Sequence, residues 1–224
     1  MTDTIRVLLV DDQELIRVGF RMVLEAESDI VVVGEAGDGR AAIAQSAALA
    51  PDLVLMDIRM PELDGIAATE TIVRDNPQTK VLVLTTFDLD EYAFGAIRAG
   101  ASGFLLKDAQ RHEMISAVRA VHRGDAALSP RITRMLLEHV TPQLGSSRSA
   151  PEAEESAALE SLTERERDVF LAIGRGLTNA EIARTLYVGE STVKTHVGRI
   201  LAKLSARDRI HAVILAHRLG LVGD

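Results

Sequence analysis

Asp52-Leu53-Val54-Leu55-Met56-Asp57-Ile58-Arg59-Met60-Pro61-Glu62-Leu63-Asp64-Gly65 is the stretch that decides the fold. Leu53, Val54, Leu55 and Met56 form an unbroken apolar run, the pattern of a strand covered on both faces. The run stops at Asp57, which places one carboxylate at the strand's carboxyl end. In an open α/β sheet, ligands bind just outside that end. Met60 precedes Pro61 and is therefore pushed out of the helical region, so the chain must turn before it can wind again. Asp64 is placed to cap a helix that starts at Gly65. A lone aspartate at a strand tip is most often a cap or turn residue. Its meaning depends on what else converges on it.

Working outward, the pattern repeats. Ile5 to Val10 is an apolar run, followed by a helical stripe through Leu15, Ile16, Phe20, Val23 and Leu24. Ile30 to Gly34 predicts a second strand, and Gly37-Asp38-Gly39 turns into an alanine-rich helix that ends before Pro51. After the opening strand comes a helix through Ile66, Ile72 and Val73. A fourth strand over Lys80–Thr85 follows, then a helix over Glu91–Ala99 closed by Gly100. Gly103–Leu106 predicts a fifth strand and Met114–Val121 a last helix. Strands separated by helices on this spacing imply a parallel sheet with helices on both faces, in the flavodoxin-like doubly wound order 2-1-3-4-5. Pro130 to Val140 can form one further helix. Thr141 to Glu152 is rich in Ser, Pro and Gly without periodicity, which reads as a linker. From Leu162 onward only helical patterns occur.

The 224-residue chain is 47% hydrophobic and has no cysteine, so disulfides and thiolate metal sites are excluded. The N-terminus lacks the features of a signal peptide, and no apolar run has the length of a membrane span. The expectation is a soluble cytoplasmic protein with no membrane partner. Net charge is −8, unevenly spread: Leu159–Asp224 carries +2 and the remainder −10. Such asymmetry suggests two domains with different partners. The expected division is 1–125, 126–158 (extra helix and linker) and 159–224.

In the 2-1-3-4-5 order the first and third strands are neighbours, so Asp11 and Asp12, directly after the first strand, share a pocket with Asp57. Three adjacent carboxylates disfavour one another's ionisation unless a cation joins them. Oxygen-only ligands suit a hard ion such as Mg²⁺. Thr85 ends the fourth strand with a hydroxyl, and Lys107 follows the fifth with an ammonium. A carboxylate nucleophile, a metal site, a hydroxyl donor and a lysine are together what phosphoryl transfer requires.

With Val10-Asp11-Asp12, Met56-Asp57, Met60-Pro61, Asp64-Gly65, Thr85-Thr86 and Gly100 to Lys107 in place, residues 5 to about 123 resemble a response-regulator receiver domain. The resemblance implies that Asp57 accepts a phosphoryl group from a sensor histidine kinase. It implies that Asp11, Asp12, Asp57 and the backbone carbonyl of Arg59 serve Mg²⁺, and that Thr85 and Phe104 move together as a switch. The family often has tyrosine at Phe104; phenylalanine keeps the ring and lacks the hydroxyl.

Thr163 with Glu166, and Thr178 with Glu181, are Thr-x-x-Glu capping boxes that start two helices. A third helix starts after Gly189. Short helices joined at Tyr187-Val188-Gly189 describe a helix-turn-helix whose later helix reads the major groove. Between Glu190 and Arg209 stand Lys194, Arg199, Lys203, Arg207 and Arg209 against two acids. Lys194 and Thr195 lie where residues reach base edges, while Arg199 and Lys203 suit phosphates. The run Leu162-Thr163, Arg165-Glu166-Arg167, Gly176-Leu177-Thr178-Asn179, Glu181-Ile182-Ala183, Thr192-Val193-Lys194, His196 and Lys203-Leu204 resembles the LuxR-type DNA-binding domain. Together the two resemblances describe a transcriptional regulator of the NarL/FixJ class, with promoter DNA as partner and no enzymatic output. They add Thr178, Asn179, Thr192 and His196 to the candidate DNA contacts. They also imply homodimerisation on phosphorylation or DNA binding, with Ile210, Val213 and Ile214 on a helix that pairs two such domains. Gly189 stands where the family commonly has a serine cap, and Gly198 lacks a side chain that some relatives turn toward bases.

Two rival functions fit the sequence less well. A Mg²⁺-dependent acyl-phosphate hydrolase would use the same aspartate, but no second carboxylate is placed as general acid and the helix-turn-helix goes unexplained. A constitutive DNA-binding protein with a merely structural first domain leaves the complete acidic cluster without a purpose.

Overall fold

The computed structural model describes residues 4–85, 90–125, 158–206 and 208–222. The helix expected over Pro130–Val140, the linker Thr141–Glu152 and Arg207 lie outside the described residues. Among these, residues up to Arg123 form one compact unit; Gly124, Asp125 and the residues from Ala158 onward form a second. No helix among the described residues is long and apolar enough to cross a membrane.

The first unit alternates β1 (Ile5–Val10), α1 (Glu14–Glu25), β2 (Ile30–Ala36), α2 (Gly39–Leu49), β3 (Leu53–Asp57), α3 (Gly65–Asp75), β4 (Lys80–Thr85), α4 (Asp90–Ala99), β5 (Gly103–Leu106) and α5 (Arg111–His122). The five strands are parallel in the order β2-β1-β3-β4-β5, as the alternation predicts. Strand periodicity sorts the core. Val7, Leu9, Leu53, Leu55, Leu82 and Leu84 point to one face, where Phe20 and Leu24 of α1 and Met114, Ile115, Val118 and Val121 of α5 cover them. Leu8, Val54, Met56, Val81 and Val83, one step out of phase, are buried as well. Hence all five residues of β3 are buried, Asp57 included, because this strand has neighbours on both edges and cover on both faces. β2 runs two residues past Gly34, its register against β1 shifting between Val7 and Leu8.

The loop after β3 is held by its own chemistry. Asp64 accepts from the Ala67 N–H at 2.8 Å and caps α3, as its position predicts. Gly65 donates its N–H to the Ile58 carbonyl at 2.8 Å. A β-carbon at Gly65 would lie 1.9 Å from the Asp57 carbonyl oxygen, closer than any two such atoms can approach. The chain therefore needs glycine here for close approach to the Asp57 backbone. Gly65→Ala is expected to cost about 3 kcal/mol, the upper range for overpacking, measured by urea denaturation. An unchanged midpoint would show that the loop relaxes freely.

The second unit holds α6 (Glu164–Gly174), α7 (Asn179–Leu186), α8 (Glu190–Lys203) and α9 (Arg209–Arg218). Both Thr-x-x-Glu boxes form: Thr163 with Glu166, and Thr178 with Glu181. Phe170, Ile173, Ile182, Val193, Val197 and Ile200 centre the core. Tyr187 ends α7 in the left-handed region, φ 54°, and turns the chain into α8.

Glu166 does more than cap. It is buried at 3% exposure, and its Oε2 accepts from Lys203 Nζ at 2.7 Å and from the Thr163 N–H at 2.9 Å. The Lys203 hydrogen bond, then the Thr163 N–H, draw its carboxyl down to about 2 against the opposing pull of burial. The folded value lies below the unfolded 4.5. Its contribution is therefore complete above pH 4.5 and is lost as pH falls toward 2. Glu166→Gln should lower the stability of this unit at neutral pH and flatten its acid dependence in that window. A mutant with the wild-type acid profile would contradict this assignment.

Candidate functional site

The parallel sheet sends β1, β3 and β4 to one edge, and side chains just past each strand meet there. Asp11 is 1% exposed and Asp57 4% exposed, whereas Asp12 is open to solvent. One carboxylate oxygen from each of the three lies within 4.8 Å of the others. Lys107 reaches in from beyond β5, with Nζ 2.7 Å from Asp11 Oδ2 and 2.9 Å from Asp57 Oδ2. Its position is fixed by a Lys107 N–H to Thr85 carbonyl bond of 2.9 Å. A cavity of about 130 Å³ opens above Asp57, lined by Asp12, Gln13, Ile58, Arg59, Thr85, Tyr92 and Lys107. The sequence reading did not single out Tyr92: its position depends on how α4 packs, which no local pattern encodes. Phe104, in β5 opposite Val83, is buried at 3% exposure.

The electrostatics match a site waiting for charge. Burial raises the Asp57 carboxyl above its ordinary value; Lys107 opposes this and Asp11 adds to it. Burial by itself would lower the Lys107 ammonium, yet the hydrogen bonds and charges of Asp11 and Asp57 outweigh it and hold Lys107 protonated. Asp11 Oδ2 is buried and pairs with Lys107 Nζ at 2.7 Å, and the carboxylate keeps further lone pairs that a cation can share. Two nearly dry carboxylates and one wet one, all oxygen donors, fit a hard divalent ion that keeps part of its water shell. The acidic pocket can hold a metal.

Residues 7–119 match the family described as response regulator receiver domain, and residues 160–216 match the family of bacterial regulatory proteins of the luxR type. The chain belongs to the response regulators. This response regulator is 46% identical over 220 residues to YxjL, an uncharacterized transcriptional regulatory protein of Bacillus subtilis (strain 168), with 98% of both chains covered. It is 41% identical over 219 residues to the response regulator protein VraR of Staphylococcus aureus, covering 98% of this chain and 99% of the relative. Among solved structures it is similar to ChrA, the response regulator of a heme-sensing two-component system. That match has a TM-score of 0.52 and 34% identity, covering 98% of this chain and 99% of the other. The family regulates transcription through a receiver joined to a LuxR-type DNA-binding domain.

In that second domain, the structure of the response regulator divides the expected DNA contacts. Thr192, Lys194, Thr195 and Arg199 of α8 are exposed, as is Thr178 at the start of α7. His196 is half-buried, with Nδ1 shielded and lacking a hydrogen-bond partner among the described residues. Asn179 is buried and Lys203 is exposed, and each is engaged by partners of its own unit. Asn179 is 1% exposed; its Oδ1 accepts from Arg209 Nη1 at 2.9 Å and its N–H donates to Asp125 Oδ1 at 3.2 Å. Lys203 is held by Glu166 and by the Ser161 carbonyl at 2.8 Å. In both cases a buried polar group is satisfied within the unit. Ile210 and Val213, expected on a pairing surface, are 1% and 5% exposed, and Ile214 is half-buried. Val213 belongs to the core of its own unit.

Arg209 also donates to the Leu177 carbonyl and is 5% exposed. It is the structural anchor of the α7 entry, a role its membership of a basic run concealed. Tyr187, 96% exposed on the turn that leads into α8, is a further surface residue beside the reading helix.

Proposed function

We propose that this response regulator takes a phosphoryl group on Asp57 from a phosphohistidine of a sensor histidine kinase, and that the modified receiver controls promoter binding by α8. The convergence of Asp11, Asp12 and Lys107 on a buried Asp57 carries the reading. One Asp57 oxygen attacks phosphorus, the P–N bond breaks, and the histidine nitrogen keeps the electron pair. Asp11, Asp12, Asp57 and the Arg59 carbonyl would hold Mg²⁺, which would supply positive charge to the phosphoryl oxygens. Lys107 neutralises the charge that Asp57 gains, and the Thr85 hydroxyl donates to a phosphoryl oxygen. Thr85 then draws toward the new group and Phe104 moves with it, which shifts the receiver's population toward one state.

The division of labour is a receiver at 1–125, a connecting segment at 126–158 and a DNA-binding domain at 159–224, working in the cytoplasm as a homodimer on promoter DNA. Within the last domain Lys194 and Thr195 address base edges. Thr192, Arg199 and Thr178 address phosphates, and His196 shapes the helix face between them. The test is loading by a small acyl phosphate. With Mg²⁺, intact mass should rise by one phosphoryl group, and chelation of the metal should suppress the gain. Mass unchanged by donor and Mg²⁺ together would overturn the proposal.

A further inference from the structure

Each polar atom of Asp11 is tied to a different part of the receiver. Its N–H donates to the Ala36 carbonyl at 3.1 Å, its Oδ1 accepts from the Gln13 N–H at 2.9 Å, and its Oδ2 faces Lys107. Its carbonyl oxygen accepts from Arg17 Nη1 at 2.7 Å. That arginine stands on the first turn and a half of α1, with its side chain only 16% exposed. Its Nε donates to Glu35 Oε2 at 3.1 Å, while Arg21 Nε holds the other oxygen of Glu35 at 2.6 Å. The Glu35 carbonyl in turn accepts from the Gln45 side chain. Arg17 thus spans from the end of β2 to the peptide between Asp11 and Asp12.

That peptide is planar, so fixing the Asp11 carbonyl also fixes the direction in which Asp12 leaves it. Asp12 is the exposed member of the three carboxylates. A planar guanidinium can bond a carbonyl and a carboxylate at once from one rigid fork. Its charge is balanced by Glu35, whose carboxyl is held below its ordinary value by the Arg21 hydrogen bond and, against burial, by Arg17.

We infer that Arg17 is a positioning residue for the divalent cation: clamped by Glu35, it sets the Asp11–Asp12 peptide so that both carboxylates face one ion. The inference rests on the acidic pocket being a Mg²⁺ site. Its readout is therefore metal binding itself, in the full-length protein without phosphodonor. Mg²⁺ is titrated by calorimetry against wild type, Arg17→Ala, Arg17→Lys and Arg21→Ala, with melting temperature recorded for each.

Loss of a partner that orients metal ligands typically costs about 10-fold or more in affinity. Arg17→Ala should weaken Mg²⁺ binding by about that factor. Arg17→Lys, which keeps the charge and loses the fork, should weaken it by several-fold. Arg21→Ala breaks the same Glu35 pair without touching Asp11, and should change affinity by less than about twofold. Equal losses in Arg17→Ala and Arg21→Ala would reduce the network to general stability and overturn the inference. So would unchanged or tighter binding in Arg17→Ala, the result expected if only the positive charge mattered. A wild type that binds no Mg²⁺ would instead remove the metal site on which the inference stands.

Discussion

Asp57→Asn will not be loaded by an acyl phosphate under conditions in which wild type gains one phosphoryl group, and it will melt at a higher temperature than wild type. Both results come from the same geometry. The nucleophilic oxygen is replaced by an amide that cannot form the acyl phosphate, so intact mass should stay at the unmodified value. Burial and the Asp11 charge raise the Asp57 carboxyl in the folded receiver, so the native state holds its proton more tightly than the unfolded chain does. A raised carboxylate works against folding as pH rises through the unfolded value toward the folded one. An uncharged isostere removes that cost and can still accept from Lys107. Loss of loading together with a lower melting temperature would mean that Lys107 outweighs burial, contrary to the charge balance argued here. Persistent loading would move the acceptor elsewhere.

Lys194→Ala should lower affinity for the specific promoter by about 10- to 100-fold, the range of one good base-edge contact, and leave non-specific binding nearly unchanged. Gly189 caps α8, so Lys194 stands in its second turn, exposed on the flank of the buried stripe of Val193 and Val197. Arg199→Ala, further along the helix, should weaken specific and non-specific DNA alike and reduce the salt slope by about one counterion. The pair separates reading from anchoring. If both substitutions weaken all sequences equally, Lys194 is a phosphate contact and the base-reading role falls to its neighbours. If neither has an effect, α8 is not the helix in the groove.

Much of this was legible in the chain. Leu53 to Met56 reads as a doubly covered strand because a short apolar run, followed closely by Met60-Pro61, suits a central parallel strand better than a helix. Asp64, Thr163 and Thr178 announce helix starts because capping is a local matter of one side chain and an N–H three residues on. What the sequence did not show depends on partners distant along the chain. Asn179 reads as a DNA contact, yet it is buried against Arg209, and Lys203 reads as a phosphate ligand, exposed but paired with the buried Glu166. Ile210 and Val213 form an apolar stripe that reads the same whether it meets its own core or a second subunit. The capping box of Gln110 and Glu113 went unnoticed because glutamine is not among the usual caps. Arg17 was hidden for a plainer reason: the Asp11 carbonyl it holds belongs to a backbone, and a sequence shows side chains only.

The central claim is that charge placed on Asp57 is felt at α8. The most direct measurement is the dissociation constant for a promoter fragment, at fixed salt and with Mg²⁺, for wild type and Asp57→Asn with and without phosphodonor. Wild type should bind at least about tenfold more tightly with donor, a shift of about 1.4 kcal/mol, within the ordinary range of coupling between sites. The Asp57→Asn protein should not respond. A wild type indifferent to the donor, or a mutant that responds as wild type does, would contradict the account.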